Sequence, residues 1–297
     1  MTETNTTLTL KAKDFKGKVD PDWCPGCGDF GVLSGLQRAV AELGLQPHEI
    51  LAVSGIGCSS NLPGFFKSYG MHTLHGRSLP HASGAKLANH ELTVIATGGD
   101  GDGYGIGGNH FTHTARRNLN ILYLVMDNQI YGLTTGQISP TSEVGMKTKS
   151  TPHGSVELPI NPIASAITNG ATWVARGYTG NIKQLVSLIK AGIEHNGFAI
   201  LDVFSPCVTF NKVNTYQFFK PRVQPLEDIE HDPSDWKQAM EKAMVWGDVI
   251  HTGVFFQTNS RLTLEEQEPV LDEGGPLAYR ELGLSGEETE RIITRMM

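Results

Sequence analysis

Cys24, Cys27, Cys58 and Cys207 are the chain's whole supply of cysteine, and each stands where a thiolate could do chemistry. The first two form a CxxC in Trp23-Cys24-Pro25-Gly26-Cys27-Gly28, the third sits in Gly55-Ile56-Gly57-Cys58-Ser59-Ser60, and the fourth ends Ser205-Pro206-Cys207. Four thiolates are what one 4Fe–4S cluster needs, and none is left over. Zinc is the competing reading, but a zinc ribbon would supply a second CxxC and the sequence has none. Four ordinary buried cysteines are the other alternative. The Cys-Pro-Gly-Cys-Gly turn argues against it for the first pair, and it stays more open for Cys58 and Cys207.

A second constellation is the run Gly98-Gly99-Asp100-Gly101-Asp102-Gly103, followed by Asp127-Asn128-Gln129. It lacks the Gly-Lys-Ser/Thr of a P-loop. Its acidic residues also argue against a nicotinamide dinucleotide, because Asp100 and Asp102 would repel a bare pyrophosphate. They make sense with a cation between. Magnesium takes oxygen ligands and bridges carboxylates to phosphates. Asp100 offers a carboxylate, Asn128 an amide oxygen, and Ile130 a backbone carbonyl. The glycines admit phosphate close to the backbone, and a helix starting near Gly105 would aim its N–H groups there. The alternative is a glycine-rich surface loop with an unrelated asparagine.

These residues need a scaffold. Apolar runs at 50–53, 92–96, 121–126, 172–175 and 198–203 read as buried strands. Segments 31–43, 79–89, 105–117 and 182–195 between them read as helices. Alternation of this kind predicts an α/β fold with a mostly parallel sheet flanked by helices, whose ligands bind beyond the carboxyl ends of the strands. Cys58, Asp100, Asn128 and Cys207 all fall just after predicted strands. The expected organisation is an α/β domain over 12–210 and a C-terminal extension or arm over 211–297. The extension shows no clean pattern beyond one helix over 234–246.

At 297 residues the chain is long enough to bury a substantial core. A net charge of −7 makes no electrostatic case for nucleic acid or an anionic membrane. No apolar run approaches the ~18–20 residues that span a bilayer. The polar start, Met1 to Thr7, carries no apolar signal core, so the expected location is cytoplasmic. Scattered cysteines in a reducing compartment favour metal or cluster binding over disulfides.

Gly99-Asp100-Gly101, with Asn128 placed 28 positions after Asp100, resembles the thiamine-diphosphate motif. The family often has Asn-Asn where this chain has Asp127-Asn128. The wider order of Trp23-Cys24-Pro25-Gly26-Cys27-Gly28, Gly55-Ile56-Gly57-Cys58-Ser59, His75-Gly76-Arg77 and Gly99 to Gly103 is similar to the β subunit of 2-oxoacid:ferredoxin oxidoreductases. The similarity covers about residues 12–220 and is closest to the 2-oxoglutarate type. It implies one 4Fe–4S cluster on Cys24, Cys27, Cys58 and Cys207, beside thiamine diphosphate whose magnesium sits on Asp100, Asn128 and the Ile130 carbonyl. It implies decarboxylation of a 2-oxoacid, transfer of the acyl group to coenzyme A (2-oxoglutarate to succinyl-CoA) and electrons passed to ferredoxin, in a direction the sequence does not set. It also implies a separate α subunit, in an αβ or (αβ)2 assembly. The α subunit would bear the pyrimidine-binding domain and the glutamate that activates the cofactor. Pyruvate or another 2-oxoacid is the alternative substrate, and a non-redox thiamine-dependent decarboxylase subunit is the alternative enzyme.

Other positions carry weaker signals. His75, Gly76 and Arg77 read as a loop touching thiamine or the substrate carboxylate, with His75 and Arg77 as catalytic candidates; a polar helix start is the alternative. Gly57 and Ser59 flank Cys58, and Ser59 can reach cluster sulfur or phosphate. Gly101 and Asp102 belong to the phosphate loop, where Asp102 either orients the loop or faces water. Gly132, Leu133 and Thr134 match the family's stretch after the asparagine and are expected to line the cofactor pocket. Lys67 and Lys86 are candidates for phosphate or coenzyme A, although lone lysines are usually solvated. His81, His110 and His113 lack the carboxylate that would complete a metal site.

Overall fold

Successive strand residues point to opposite faces of a sheet. In β1 (Ile50–Ser54) this sends Ile50 and Ala52 into one buried cluster, and Leu51 and Val53 into another. A strand covered on both faces explains the unbroken apolar run. The computed structural model describes residues 9–272, 275–281 and 283–296 and repeats this pattern in the central strands of the sheet.

The remaining strands are β2 (Tyr69–His72), β3 (Thr93–Gly99), β4 (Ile121–Asp127), β5 (Trp173–Tyr178), β6 (Phe198–Phe204), β7 (Val223–Pro225) and β8 (Ile250–Gln257). Their order is β2-β1-β3-β4-β6-β5-β8-β7, and all pairs are parallel except β5 with β8. Helices Asp29–Glu42 and Ile182–Glu194 pack over one face. Helices Ser78–Ala88, Gly108–Arg117, Pro162–Thr168 and Trp236–Ala243 cover the other. The expected α/β architecture is what forms. β1, β3, β4 and β6 lie side by side and parallel, so the loops at their carboxyl ends share one edge.

Two helices differ from expectation. The one read from residue 105 begins at Gly108, because Gly101–Ile106 closes as a wide π-turn instead. The one read over 234–246 spans Trp236–Ala243, capped by the Asp235 carboxylate, which accepts from the N–H groups of Lys237 and Gln238. The segment after 210 supplies β7 and β8 to the same sheet, with Ile250 and Phe255 buried. Its last helix, Gly286–Met296, buries no residue. Among the described residues no helix is long and apolar enough to cross a membrane.

Candidate active site

β3 ends in two glycines and delivers Asp100 into the interior at 1% exposure. The Thr141 hydroxyl lies 2.7 Å from Asp100 Oδ2 and 3.0 Å from Asp127 Oδ1, so one side chain ties the ends of β3 and β4 together. Burial pushes the Asp100 carboxyl up to about 6, while hydroxyls from Ser139 and Thr141 pull it back down. Burial also raises Asp127 and Asp202 nearby. Asp202 is met by Arg176 and Tyr104, but among the described residues no ion pair reaches Asp100 or Asp127, a setting a divalent cation would relieve.

Asp102 lies within the π-turn and is buried. Its Oδ1 accepts from the Ile56 N–H at 2.9 Å and the Gly76 N–H at 2.7 Å, and lies 2.7 Å from His75 Nδ1. A Cβ on Gly55 would stand 2.0 Å from this carboxylate. Asp102 therefore does not face water: it fastens the loop after β1 and the His75 loop to the phosphate loop.

After β4 the chain turns sharply, with Gln129 in the left-handed region at φ 57°. Asn128 Oδ1 accepts from the Ile130 N–H at 3.0 Å, and its carbonyl accepts from Asn211 Nδ2 at 2.9 Å. The Tyr131 hydroxyl donates to the Gly101 carbonyl at 2.9 Å, closing the turn against the phosphate loop.

These contacts enclose a cleft of about 90 Å³. Gly57, Ser59, His75, Gly99, Asp100, Gly101 and Asp102 line one side, and Asn128, Ile130, Gly132, Leu133 and Thr134 the other. Two expected members stand outside its wall. Gly76, at φ 69°, is pressed so close to the next loop that a Cβ would lie 2.6 Å from the Gly107 nitrogen. The Arg77 guanidinium turns back to the Gly76 carbonyl at 3.2 Å and ties down the loop at the start of the Ser78–Ala88 helix.

All four cysteines line a second cavity of about 190 Å³. The CxxC turn docks on the Ser205-Pro206-Cys207 segment: the Gly28 N–H donates to the Pro206 carbonyl at 3.1 Å, and a Cβ on Gly28 would lie 2.5 Å from the Ser205 backbone. Trp23 Nε1 donates to the Cys58 carbonyl at 2.6 Å. Burial pushes the Cys27 thiol upward and that of Cys58 up to about 11, and the nearby Asp29 adds to both. Asp29 is fully buried, accepts from the Ser205 hydroxyl, and is itself raised to about 6 by burial. Among the described residues, no three His, Cys, Asp or Glu side chains already stand together at metal-holding spacing. The two cavities share Cys58, Asn128, Gly132 and Leu133 as a common wall.

The weaker candidates lie elsewhere. Lys86 is buried, and its ammonium donates to the carbonyls of His90 and Leu92 at 2.8 and 2.9 Å, at the amino-terminal end of β3. It is neither solvated nor near the cleft. Lys67, His81, His110 and His113 line neither cavity. Sequence reasoning misses Thr141, Asp29 and Asn211, and it gives Ser205 no role although it stands in the Cys207 motif. The first three are lone polar residues without motif spacing, and only the fold brings them to the site.

The thiamine pyrophosphate enzyme, C-terminal TPP binding domain family matches residues 55–203, and the C-terminal family of the pyruvate ferredoxin oxidoreductase beta subunit matches 207–273. The 2-oxoacid:ferredoxin oxidoreductase 1, subunit beta, of Aeropyrum pernix is 47% identical over 85% of this chain and 83% of its own. The 2-oxoglutarate oxidoreductase subunit KorB of Mycobacterium tuberculosis is 45% identical over 68% of this chain and 54% of its own. A solved 2-oxoglutarate:ferredoxin oxidoreductase from Magnetococcus marinus, with 2-oxoglutarate, coenzyme A and succinyl-CoA bound, superposes with a TM-score of 0.87 at 43% identity, over 99% of this chain and 98% of that one. Likeness at this level along nearly the whole length places the chain in the 2-oxoacid:ferredoxin oxidoreductase β-subunit family, as an oxidoreductase with a thiamine diphosphate-binding domain.

Proposed function

We propose that the chain acts in the oxidative decarboxylation of 2-oxoglutarate to succinyl-CoA and carbon dioxide, with electrons leaving through a 4Fe–4S cluster to ferredoxin. The observation that carries this reading is the common wall. The cleft for the organic cofactor and the cysteine cavity meet at Cys58, Asn128, Gly132 and Leu133.

The residues fit the groups assigned to them. Asp100, Asn128 and the Ile130 carbonyl are all-oxygen ligands suited to magnesium. Cys24, Cys27, Cys58 and Cys207 would hold the cluster. The raised thiols of Cys27 and Cys58 match a site where iron, not solvent, stabilises the thiolate. When bound, thiamine diphosphate supplies the nucleophilic carbon and the electron sink for loss of carbon dioxide. The chain's own part is to orient and exclude. Asp102 and Thr141 fix the loops, and Tyr131 closes the turn over Gly101. The His75 ring is held through Nδ1, so Nε2 is left as the nitrogen to meet a ligand.

A cleft of about 90 Å³ is far below the roughly 300–1,000 Å³ of a site that encloses a whole ligand. It takes the diphosphate end, and an α subunit would cover the rest and supply the activating glutamate. Several relatives and the solved complex are named for 2-oxoglutarate, which supports that substrate, while other relatives are named only for a 2-oxoacid.

The test is anaerobic purification with the co-purifying partner, dithionite reduction and low-temperature electron paramagnetic resonance, followed by viologen reduction with each 2-oxoacid. A reduced 4Fe–4S signal and a preference for 2-oxoglutarate are expected. Zinc or no metal at the cysteines would move the reading to a non-redox decarboxylase subunit.

A further inference from the structure

Asn128 and Ile130, the two magnesium candidates after β4, stand on either side of Gln129, so the backbone of Gln129 sets their relative placement. That backbone is unusual. Its φ is 57°, in the left-handed region that a residue with a side chain enters at a steric cost. Four contacts hold it there. On the carboxyl side, the Gln129 carbonyl accepts from the Ser142 hydroxyl at 2.7 Å, and the Ile130 N–H donates to Asn128 Oδ1 at 3.0 Å. On the amino side, the Gln129 N–H donates to Asp127 Oδ1 at 3.1 Å, and the Asn128 carbonyl accepts from Asn211 Nδ2 at 2.9 Å. This last pair pins both ends of the Asn128–Gln129 peptide. A flip of that peptide would break both bonds and carry Gln129 to negative φ.

Asn211 is the contact that comes from a distant part of the chain, the turn that follows Cys207. Its own N–H donates to the Cys207 carbonyl at 3.3 Å, and the Phe210 N–H donates to Cys207 Sγ at 3.5 Å, so the turn is wrapped around the cysteine. Asn211 is fully buried, although Thr209 and Lys212 beside it are exposed. An amide at that depth is expected to be hydrogen-bonded, and this one is bonded in both directions. Its Oδ1 accepts from the Val213 and Asn214 N–H groups, each at 2.9 Å, which leaves Nδ2 for Asn128. The turn therefore needs the oxygen of this side chain, and the peptide before Gln129 needs its nitrogen. Asp in its place would keep the first and lose the second. Asn214 Nδ2 then donates to Glu143 Oε1 at 3.0 Å, which anchors the turn to the segment that carries Thr141 and Ser142.

We propose that Asn211 is a positioning residue for magnesium, holding the strained peptide before Gln129 from the turn that carries Cys207. The inference rests on the reading that Asp100, Asn128 and the Ile130 carbonyl hold that ion. Without the Nδ2 donor, a flipped peptide relieves Gln129, and ion binding has to reverse the flip before both ligands serve. A binding conformation that is only partly populated weakens the apparent affinity by its fraction. Glycine at position 129 removes the strain, since it adopts positive φ about as readily as negative. The need for Asn211 then largely vanishes.

The experiment uses the complex purified anaerobically with its α partner and freed of magnesium and thiamine diphosphate by dialysis. Equilibrium dialysis of thiamine diphosphate across a magnesium series gives the magnesium Kd, and the metal content of the cysteine site reports the Cys207 turn. Asn211→Ala and Asn211→Asp are expected to raise the magnesium Kd about 10-fold, with the cysteine-site metal retained. In a Gln129→Gly background the same changes should raise it about 3-fold or less, whatever Gln129→Gly does by itself. If Asn211→Ala alone loses the cysteine-site metal, Asn211→Asp, which keeps Oδ1 for the turn, carries the comparison. An equal rise in both backgrounds, or none in either, overturns the positioning role. Loss of the cysteine-site metal from both Asn211 variants overturns it as well, since Asn211 would then be a scaffold of the cysteine turn. A wild-type complex that binds thiamine diphosphate without magnesium overturns the underlying reading and this one with it.

Discussion

His75 Nδ1 and Asp102 Oδ1 stand 2.7 Å apart across two loops that meet only in the folded chain. The same oxygen accepts the backbone N–H groups of Ile56 and Gly76. A buried carboxylate thus organises the cleft from behind, and the imidazole is its outermost attachment. Replacing Asp102 by Ala leaves two backbone donors and one ring nitrogen without their acceptor. Hydrogen bonds to a charged group contribute about 1.5–3 kcal/mol each. The expected result is a loss of about 3 kcal/mol or more in stability and weaker thiamine diphosphate binding, measured by thermal melts and cofactor titration.

Asp100→Ala should abolish binding of thiamine diphosphate and magnesium while leaving the iron content and cluster spectrum intact. Cys24→Ala should do the reverse. The check is a thiamine assay and iron analysis on the same preparations. Loss of both groups in either variant would mean a folding defect.

Gly55→Ala places a methyl group 2.0 Å from Asp102 Oδ2. The carboxylate is buried and held by its donors, so the clash falls on the loop that carries Cys58. Both cofactor occupancy and soluble yield should drop several-fold, and neither loss should follow Gly84→Ala, where a Cβ meets nothing within 4 Å and the backbone is helical.

The pH dependence of stability follows from Asp29, which burial raises to about 6 against hydrogen bonds from Ser205 and Cys27. The folded chain holds this proton more tightly than the unfolded one, whose carboxyl titrates near 3.9. Stability from this group is therefore present at low pH and is lost as pH rises from about 4 to about 6. Asp100, raised by burial as well, pulls the same way in the absence of metal. Thermal melts of the cofactor-free chain should show this fall, and magnesium with thiamine diphosphate should remove the part due to Asp100.

The polypeptide alone should show no viologen reduction with any 2-oxoacid, and addition of the α subunit should restore it. Turnover by the isolated chain would mean that the cleft is complete without a partner.

The strands at the heart of the sheet are legible in the sequence because both faces are buried, which leaves unbroken apolar runs such as Ile121 to Met126. β2 is not: its residues, Tyr69, Gly70, Met71 and His72, are all exposed and carry no such run. β8 is hidden by His251, Thr252 and Gly253 in its middle, and Gly253 sits at φ 113° beside a bulge in the pairing with β5. The residues that line the cleft are largely legible because they cluster just after strands. Thr141 and Asp29 are not, because their importance lies in which carboxylate or hydroxyl they meet, and sequence spacing says nothing of that. The phosphate loop misleads in one respect. The glycine run Gly101–Ile106 closes as a π-turn with Asp102 buried inside it, and the helix starts only at Gly108.

Gly132 belongs to both cavities, and a Cβ there would sit 3.6 Å from Cys207 Sγ and 3.8 Å from Cys58 Sγ. On the proposed function, the partition between organic and inorganic chemistry would be one residue thick at this point, and the width an electron had to cross would be fixed by a single backbone turn when the chain folds.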